Sequence, residues 1–232
     1  MNRIPVFCFS HAGGMSFAYR NFVAAGQSGV FEYIPIDISG HGKRMGEKLF
    51  LSFDEIVEDL YGKVCAKLGD RQQFVLMGHS MGAWTAFEIA QRFQLKGISP
   101  TLLVLSSNVP AKYYNDRVSI DAGDEVVQAQ LLERNHELKQ FFEDEMLKKT
   151  FYPVLKADYI AIDDYLKKDE GMKVTCNVLG LIAEGDRFNE VTMGKWKEYV
   201  DGVYLQKIIK GNHFAFYKEH EYVRQLIENS IC

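Results

Sequence analysis

Short runs of apolar residues recur along the chain, and glycine or polar residues separate them. Six runs have the length of strands, and four are nearly continuous in apolar residues, which is typical of parallel strands buried on both faces. The predicted strands are Ile4–Phe9, Tyr33–Ile36, Phe74–Met77, Leu102–Leu105, Val178–Ile182 and Val203–Ile209.

Helical periodicity occupies most of the segments between these strands. In Phe53–Leu68, apolar residues recur at every fourth position from Ile56 onward, on one face of a helix. Ser52 and Glu55 have the spacing of a capping box in front of it. The remaining predicted helices are Phe17–Ala25, Ala83–Phe93, Thr192–Val200 and Glu219–Glu228. Strands that alternate with helices predict an α/β fold with a mostly parallel sheet flanked by helices.

The stretch from 109 to 173 departs from this alternation. It is rich in charged residues and helix formers, notably in Leu131–Lys149 and Ala157–Lys168, and it contains no clear strand pattern. We therefore expect residues 1–108 and 174–232 to form the α/β core, and residues 109–173 to form a helical insertion between two core strands.

Composition narrows the class of protein. The 232 residues are 47% hydrophobic and 25% charged, as in an ordinary globular domain with a sizeable core. The net charge of −4 argues against binding to nucleic acid. The apolar run within Met1–Ser10 is too short for a signal peptide. No segment is both long enough and apolar enough to span a bilayer. We expect a cytoplasmic protein that is monomeric by default and does not contact a membrane.

The four cysteines do not indicate a metal site or a disulfide framework. Cys8 and Cys176 lie inside apolar runs, and no pair has C-x-x-C spacing. Buried free thiols are expected, and the sequence calls for no cofactor or metal ion.

The segment Gly78–Gly82, Gly-His-Ser-Met-Gly, carries the strongest chemical signal. It follows the predicted strand Phe74–Met77 and precedes a predicted helix, which is the context of a nucleophile elbow. On such a sharp turn the Ser80 hydroxyl projects from the sheet, and the N–H of Met81 at the helix start can stabilise an oxyanion. An ordinary glycine-rich turn is the alternative interpretation.

A serine nucleophile needs a base, and three histidines follow Ser80 along the chain. His213 comes shortly after the predicted strand Val203–Ile209, in a loop from which it could reach the serine. His136 lies in the charged insertion and His220 in a predicted helix. His213 is therefore the favoured base.

The acid is expected at the end of the preceding strand, Val178–Ile182. Asp186 lies there and could hold His213 in the tautomer that catalysis requires. Glu184, two residues earlier, is the rival candidate.

A second oxyanion donor is expected in the loop after the first predicted strand. This loop, Ser10–Gly14, is rich in glycine, and the N–H of Ala12 is the best candidate. A glycine-rich loop can also bind phosphate, but neither G-x-G-x-x-G nor the P-loop pattern is present.

With these residues in place, nearly the whole chain resembles the type II (external, editing) thioesterases of nonribosomal peptide and polyketide synthases, in the α/β-hydrolase superfamily. The family's first strand ends in Pro-His-Ala-Gly-Gly, and Ser10–Gly14 differs by serine for proline. The elbow Gly78–Gly82 matches without change. Tyr152–Tyr159 in the insertion and Gly211–Phe214 are also similar to family segments.

Two positions depart from the family pattern. Many members have Gly-Asp-x-Asp-Pro at the acid, and an alignment on the glycine places Phe188 there. Because phenylalanine cannot orient an imidazole, a shift of one or two residues that restores Asp186 is preferred. Where the family tends to have Pro-Gly-Arg-Gly, this chain has Ser39–Gly42, and His41 is expected at the surface or rim.

The resemblance implies a serine thioesterase with an α/β-hydrolase fold and a helical lid. Its partner would be the phosphopantetheine-bearing acyl or peptidyl carrier protein of a synthase. The implied site is a triad and two backbone donors: Ser80, His213 and Asp186, with the N–H groups of Met81 and Ala12.

Other functions stay open. They are a small-molecule esterase or lipase, a peptidase, a fatty acyl-carrier-protein thioesterase, and a catalytically inactive hydrolase fold that only binds a carrier protein. The lid segment and the His-Ala-Gly-Gly loop favour the carrier-protein thioesterase.

Overall fold

A parallel sheet forms the centre of the molecule. The computed structural model describes residues 3–168 and 172–231. Its strands are β1 (Ile4–Phe9), β2 (Phe31–Pro35), β3 (Val75–His79), β4 (Leu102–Ser106), β5 (Val178–Gly185) and β6 (Tyr204–Asn212). Each predicted apolar run overlaps one of these strands, so the predicted α/β class is confirmed. The boundaries moved most at the ends of β5 and β6, which run three residues beyond the predicted ends, to Gly185 and Asn212.

The strand order brings several loops to one edge of the sheet. The order is β2-β1-β3-β4-β5-β6, and each neighbouring pair is parallel. All strands therefore end at the same edge, where open α/β sheets carry their sites. The register aligns Phe9 with Gly78, and Gly185 with Asn212. The loop after β1 thus lies beside the turn after β3, and the loop after β5 lies beside the loop after β6.

Helices connect the strands. The α-helices are α1 (Arg20–Ala25), α2 (Phe53–Leu68), α3 (Met81–Gln94), α4 (Asp124–Arg134), α5 (Lys139–Glu143), α6 (Glu145–Tyr165), α7 (Glu190–Met193), α8 (Ala215–Lys218) and α9 (His220–Ile231). In the part of the chain that the structure describes, no helix combines the length and apolar character needed to cross a membrane.

Two predicted helices are only partly α-helical. Phe17–Ala25 is a 3₁₀ turn followed by α1, and Thr192–Val200 is the end of α7 followed by the 3₁₀ stretch Gly194–Tyr199. In a 3₁₀ helix, side chains three residues apart lie on the same side. This geometry lets Trp196 and Tyr199 both be buried in the core.

Successive side chains of each strand point to opposite faces of the sheet, so the core has two layers, one on each face. In β1, Phe7 and Phe9 pack in one layer, with α2 and α3, while Val6 and Cys8 pack in the other, with α1 and α9. Cys8 is 1% exposed and Cys176 is 6% exposed, so both are buried free thiols as predicted. Cys232 lies outside the described residues.

The segment between β4 and β5 folds into α4, α5 and α6 and has a small core of its own. Ala12, from the loop after β1, packs against this core. The buried side chains of this small core are Val118, Val127, Leu131, Leu138, Tyr152 and Leu155. The helical segment therefore contacts the edge at which the strands end.

The predicted capping box of α2 was wrong. The Ser52 side chain makes no capping hydrogen bond to the helix. Instead, the Ser52 hydroxyl and the N–H of Phe53 donate to Oδ2 of Asp164, at 3.0 and 3.1 Å. A carboxylate of α6 thus satisfies the first amide of α2, and the pattern around Ser52 and Glu55 could not reveal a partner so distant in sequence.

Candidate active site

Ser80 lies on a strained turn between β3 and α3. Its φ of 56° and ψ of −122° are unusual for a residue with a side chain. The turn is fixed on both sides: the Ser80 N–H donates to the carbonyl of Ser106 at 2.8 Å, and Nδ2 of Asn108 donates to the carbonyl of Ser80 at 2.9 Å. The backbone thus has the form of a nucleophile elbow.

The two glycines of the elbow allow close approach of backbone segments. A Cβ on Gly78 would lie 1.8 Å from the carbonyl oxygen of Gly82, and a Cβ on Gly82 would lie 2.1 Å from that of Phe9. Only glycine fits at either position. The first turn of α3 therefore lies directly against the end of β1, which brings the amide of Met81 close to the loop that contains Ala12.

His213 and Asp186 form a hydrogen-bonded pair at the ends of β6 and β5. Nδ1 of His213 lies 3.1 Å from both carboxylate oxygens of Asp186. Because a carboxylate only accepts, Nδ1 carries the hydrogen and Nε2 is left to accept a proton. Burial would raise the pKa of Asp186, but the hydrogen bond and charge of His213 lower it overall. Asp186 is thus an ionised partner, whereas the rival Glu184 is exposed to solvent.

Ser80 and His213 line the same small cavity, of about 70 Å³. Ala12 and Gly13 of the loop after β1 also line it. The remaining wall comes largely from the helical segment between β4 and β5, through Leu131, Leu138, Phe151, Leu155 and Tyr159. The cavity therefore joins predicted site residues from three loops under an apolar cover.

Two further histidines beside the cavity are held neutral. His11 contacts the Tyr217 hydroxyl at 2.9 Å, and burial lowers its pKa to about 3. His79 contacts the Ser106 hydroxyl at 3.1 Å, and burial also lowers its pKa well below the usual value. Both are packed among aromatic rings and keep no charge that would compete with His213.

The amides of the loop after β1 have different partners. The N–H of Gly13 donates to Oδ2 of Asp158 at 2.6 Å, and the N–H of Gly14 donates to the carbonyl of His11 at 2.8 Å. Gly13 has a φ of +70°, and a Cβ there would lie 2.8 Å from Cδ1 of Leu155. The loop is therefore a tight turn pressed against α6.

His41 was predicted at the surface or rim, and that prediction was wrong. It is 3% exposed, and its Nε2 lies 2.9 Å from Oδ2 of Asp158. Asp158 itself is 1% exposed. Sequence reasoning missed the pair because its members are far apart in the chain. The one available signal was a carboxylate at 158 within the apolar face of the predicted helix Ala157–Lys168.

A pair of arginines also lines the cavity and was not predicted. Arg134 of α4 and Arg187, next to the candidate acid, both bind Asp116, at 2.6 and 3.0 Å. The two guanidinium groups share one carboxylate, which ties α4 to the loop after β5.

The sequence profile of the family described as Thioesterase domain matches residues 4–231. The chain belongs to the thioesterase family. Thioesterase PikA5 of Streptomyces venezuelae is 26% identical over 215 residues, which cover 91% of this chain and 75% of that protein. A probable cadicidin biosynthesis thioesterase of Streptomyces griseus is 28% identical over 94% of this chain, and the chain spans 59% of that protein.

A solved structure supports the same assignment. The type II thioesterase BorB from the borrelidin biosynthetic cluster matches this thioesterase with a TM-score of 0.86 and 27% identity, over 100% of this chain and 94% of that one. The predicted α/β-hydrolase fold and the resemblance to type II thioesterases are thereby confirmed.

Proposed function

We propose that this thioesterase hydrolyses acyl groups from the phosphopantetheine arm of carrier proteins through an acyl-serine intermediate. The observation that carries the proposal is the pairing of His213 with ionised Asp186 beside the cavity that also contains Ser80. Membership of the thioesterase family supports thioester hydrolysis as the reaction class. The carrier-protein partner is supported by the relatives, which are named as thioesterases of biosynthetic clusters.

In the first step, Oγ of Ser80 attacks the thioester carbonyl while Nε2 of His213 takes the hydroxyl proton. Asp186 holds the other ring nitrogen and stabilises the imidazolium that forms. The oxyanion of the tetrahedral intermediate accepts hydrogen bonds from the N–H groups of Met81 and Ala12. The C–S bond then breaks, and the pantetheine thiol leaves with the proton from His213.

In the second step, water hydrolyses the acyl-serine. His213 takes a proton from the water as it attacks the ester carbonyl, and the same two amides stabilise the new oxyanion. Collapse of this intermediate releases the carboxylic acid, and His213 returns the proton to Ser80. These residues carry the chemistry without a metal ion or cofactor.

The shape of the cavity favours a short acyl group. Its volume of about 70 Å³ is small, and the helical segment closes it with apolar side chains. We assign residues 109–173 the role of a lid that bounds the acyl pocket and excludes water. Short acyl groups on a carrier protein fit an editing role, in which misprimed or stalled arms are cleared. The enzyme would act as a cytoplasmic monomer.

Intact-mass spectrometry of a carrier protein tests this function. A holo carrier protein loaded with an acetyl group is incubated with the wild-type enzyme and, in parallel, with Ser80→Ala. We expect loss of the acyl mass with the wild type alone. Retention of the acyl group, together with turnover of a simple aryl ester, would instead assign a small-molecule esterase. A series from acetyl to octanoyl separates an editing enzyme from a fatty acyl-carrier-protein thioesterase.

A further inference from the structure

Asp158 is a buried carboxylate that the proposed mechanism does not use. It lies on α6, and its side chain is 2% exposed. One of its oxygens, Oδ2, accepts from the N–H of Gly13 at 2.6 Å and contacts Nε2 of His41 at 2.9 Å. A buried carboxylate is costly unless it is paired and hydrogen-bonded. The two contacts pair this oxygen and join α6 to the loops after β1 and β2.

His41 is placed to pair with this carboxylate as a cation. Its two ring nitrogens face oxygen atoms, Nε2 toward Asp158 and Nδ1 toward the carbonyl of Ser39 at 3.1 Å. A carbonyl only accepts, so Nδ1 carries a hydrogen, and a hydrogen on Nε2 as well makes the ring an imidazolium. Burial would lower the pKa of His41, but the charge and hydrogen bond of Asp158 raise it overall.

The turn that Asp158 holds is the turn that contains Ala12. The N–H of Gly14 closes it onto the carbonyl of His11, with Ala12 and Gly13 at its centre. A positive φ at the third residue, as at Gly13, is typical of a type II turn, which differs from type I by a flip of the central peptide. The Gly13 N–H belongs to that central peptide. Its hydrogen bond to Asp158 therefore fixes the orientation of the central peptide. Because this peptide begins at Ala12, the same contact anchors Ala12, whose own N–H belongs to the preceding peptide, against α6.

We propose that Asp158 is a positioning residue for the oxyanion hole: it anchors the turn against α6, and so holds Ala12 at the distance from Ser80 at which its N–H can reach the oxyanion. This inference rests on the proposed function of Ala12 as an oxyanion donor. His41 supports it through its contact with Oδ2 of Asp158, the same oxygen that accepts from Gly13. Because Asp158 belongs to α6, the placement of the helical segment and the formation of the oxyanion hole are coupled.

Three variants test the inference. Asp158→Leu removes the acceptor at similar volume, and Asp158→Asn keeps an acceptor oxygen but removes the charge. Asp164→Asn is the matched control, since Asp164 lies on the same helix and also binds a backbone N–H of the core, that of Phe53, away from the cavity. Thermal unfolding of each variant shows that it is folded, and Asp158→Asn carries the test if the leucine variant does not fold.

Steady-state kinetics on an acetyl-pantetheine thioester provide the first readout. Complete removal of one oxyanion donor costs about 10²- to 10³-fold in kcat, so a misplaced donor should cost less. We expect Asp158→Leu to lower kcat about 10- to 100-fold with KM changed less than about threefold, and Asp158→Asn to fall between it and the wild type. Asp164→Asn should keep the wild-type kcat and lose only melting temperature.

The second readout is inhibition by a trifluoromethyl ketone analogue of the same substrate. Ser80 adds to the ketone carbon, its proton passes to His213, and the ketone oxygen becomes an oxyanion in the hole. If Asp158 positions the hole, the inhibition constant should rise by the same factor by which kcat/KM falls. If Asp158 only supported packing, its replacement would lower the melting temperature, and the inhibition constant would not rise in step with the fall in kcat/KM.

Several outcomes would overturn the inference. The first is a wild-type kcat in Asp158→Leu, or in Asp158→Asn if only that variant folds. The second is a fall in kcat with an unchanged inhibition constant. The third is an equal loss of kcat in Asp164→Asn. Failure of the proposed function is distinguishable, because the ketone needs Ser80 and the hole but no carrier protein. A wild type that leaves acyl-carrier protein intact yet binds the ketone refutes the carrier substrate alone, and one that does not bind the ketone refutes both.

Discussion

At the scale of single residues, position on the strand favours Asp186 over Glu184 as the acid of the proposed triad. β5 ends at Gly185, which is paired with Asn212 at the end of β6. The residues that follow these two, Asp186 and His213, therefore lie next to each other. This places Asp186 against His213, while Glu184 points to solvent. Phe188, which an alignment on the glycine would place at the acid position, is buried in the core.

Replacement of Asp186 by asparagine should cost about 10³- to 10⁴-fold in kcat, because the amide favours the wrong tautomer of His213. The matched control, Glu184→Gln, should retain wild-type kcat. Steady-state hydrolysis of an acetyl-pantetheine thioester measures both. Near-normal turnover by Asp186→Asn, with a large loss in Glu184→Gln, would show that the acid is misassigned.

The pair of His41 and Asp158 makes stability depend on pH. Burial would lower the pKa of His41, but the charge and hydrogen bond of Asp158, with smaller effects from the Ser39 carbonyl and the Asp37 charge, raise it overall. The nearby His11 is held neutral by burial. A histidine with a raised folded pKa stabilises fully below its unfolded pKa of about 6.5, and this stabilisation is lost as the pH rises through the folded pKa.

Urea unfolding of the wild type and of His41→Gln should therefore differ most at low pH. Near pH 6 we expect the free energy of unfolding of the wild type to exceed that of the variant by about 3 kcal/mol, because the variant breaks a buried ion pair. The difference should shrink steadily as the pH rises. A difference that stays constant or grows as the pH rises would refute a charged His41.

At the scale of elements, the contact between β1 and α3 assembles the two predicted oxyanion donors. Gly82 lies so close to the carbonyl of Phe9 that an added Cβ would be 2.1 Å away. Any side chain at this position must separate the helix from the strand.

Gly82→Ala should therefore lower the free energy of unfolding by about 1–3 kcal/mol, as overpacking of a core does. It should also lower kcat, because the Met81 amide moves. Gly62→Ala in α2 is the control: no atom lies within 4 Å of its added Cβ, so the change should stabilise by about 0.5–1 kcal/mol. Urea denaturation measures both, and a Gly82→Ala variant as stable as the wild type would contradict the close contact.

Elements differ in how far the sequence can predict them. The central strands β1, β3, β4 and β5 were predictable because their nearly continuous apolar runs are buried on both faces. The edge strand β6 is mostly exposed, and only its apolar residues indicated it. The helix start at Phe53 was also predictable, but its cap was not, because Asp164 lies 112 residues from Ser52. The division of Thr192–Val200 into α7 and a 3₁₀ stretch depends on how Trp196 and Tyr199 pack, which periodicity does not show.

At the scale of the whole molecule, the helical segment bounds the small cavity beside Ser80, the proposed acyl pocket. Phe151 of α6 lines both the small cavity at Ser80 and a neighbouring cavity of about 460 Å³. Its ring stacks on Phe141, with 4.8 Å between centroids, and Phe141 lines the larger cavity. Phe151 therefore forms part of the wall between the two spaces.

Phe151→Ala should join the cavities and shift the preference toward longer acyl chains. We expect the ratio of kcat/KM for octanoyl over acetyl thioesters to rise about tenfold, the lower end of the effect of one methylene in a hydrophobic pocket. Phe141→Ala should change this ratio much less. An unchanged ratio in Phe151→Ala would show that the acyl chain does not lie along this wall.

The candidate triad and the oxyanion loop were predictable because each of these residues lies shortly after a strand. Parallel strands end at one edge, so Ala12, Ser80, Asp186 and His213 were expected together before their distances were known. The contacts made by the insertion were not predictable. Asp158 and Arg134 reach the site from α6 and α4, and their positions depend on how the helical segment packs over the sheet.

The most direct test of the account is a rapid-quench measurement of the enzyme's own mass during turnover. The wild type is mixed with a short-acyl carrier protein, quenched in acid, and analysed by intact-mass spectrometry and peptide mapping. The account predicts a transient acyl adduct on the peptide that contains Ser80, absent in Ser80→Ala. Turnover without any acyl-enzyme, or an adduct on another residue, would contradict it.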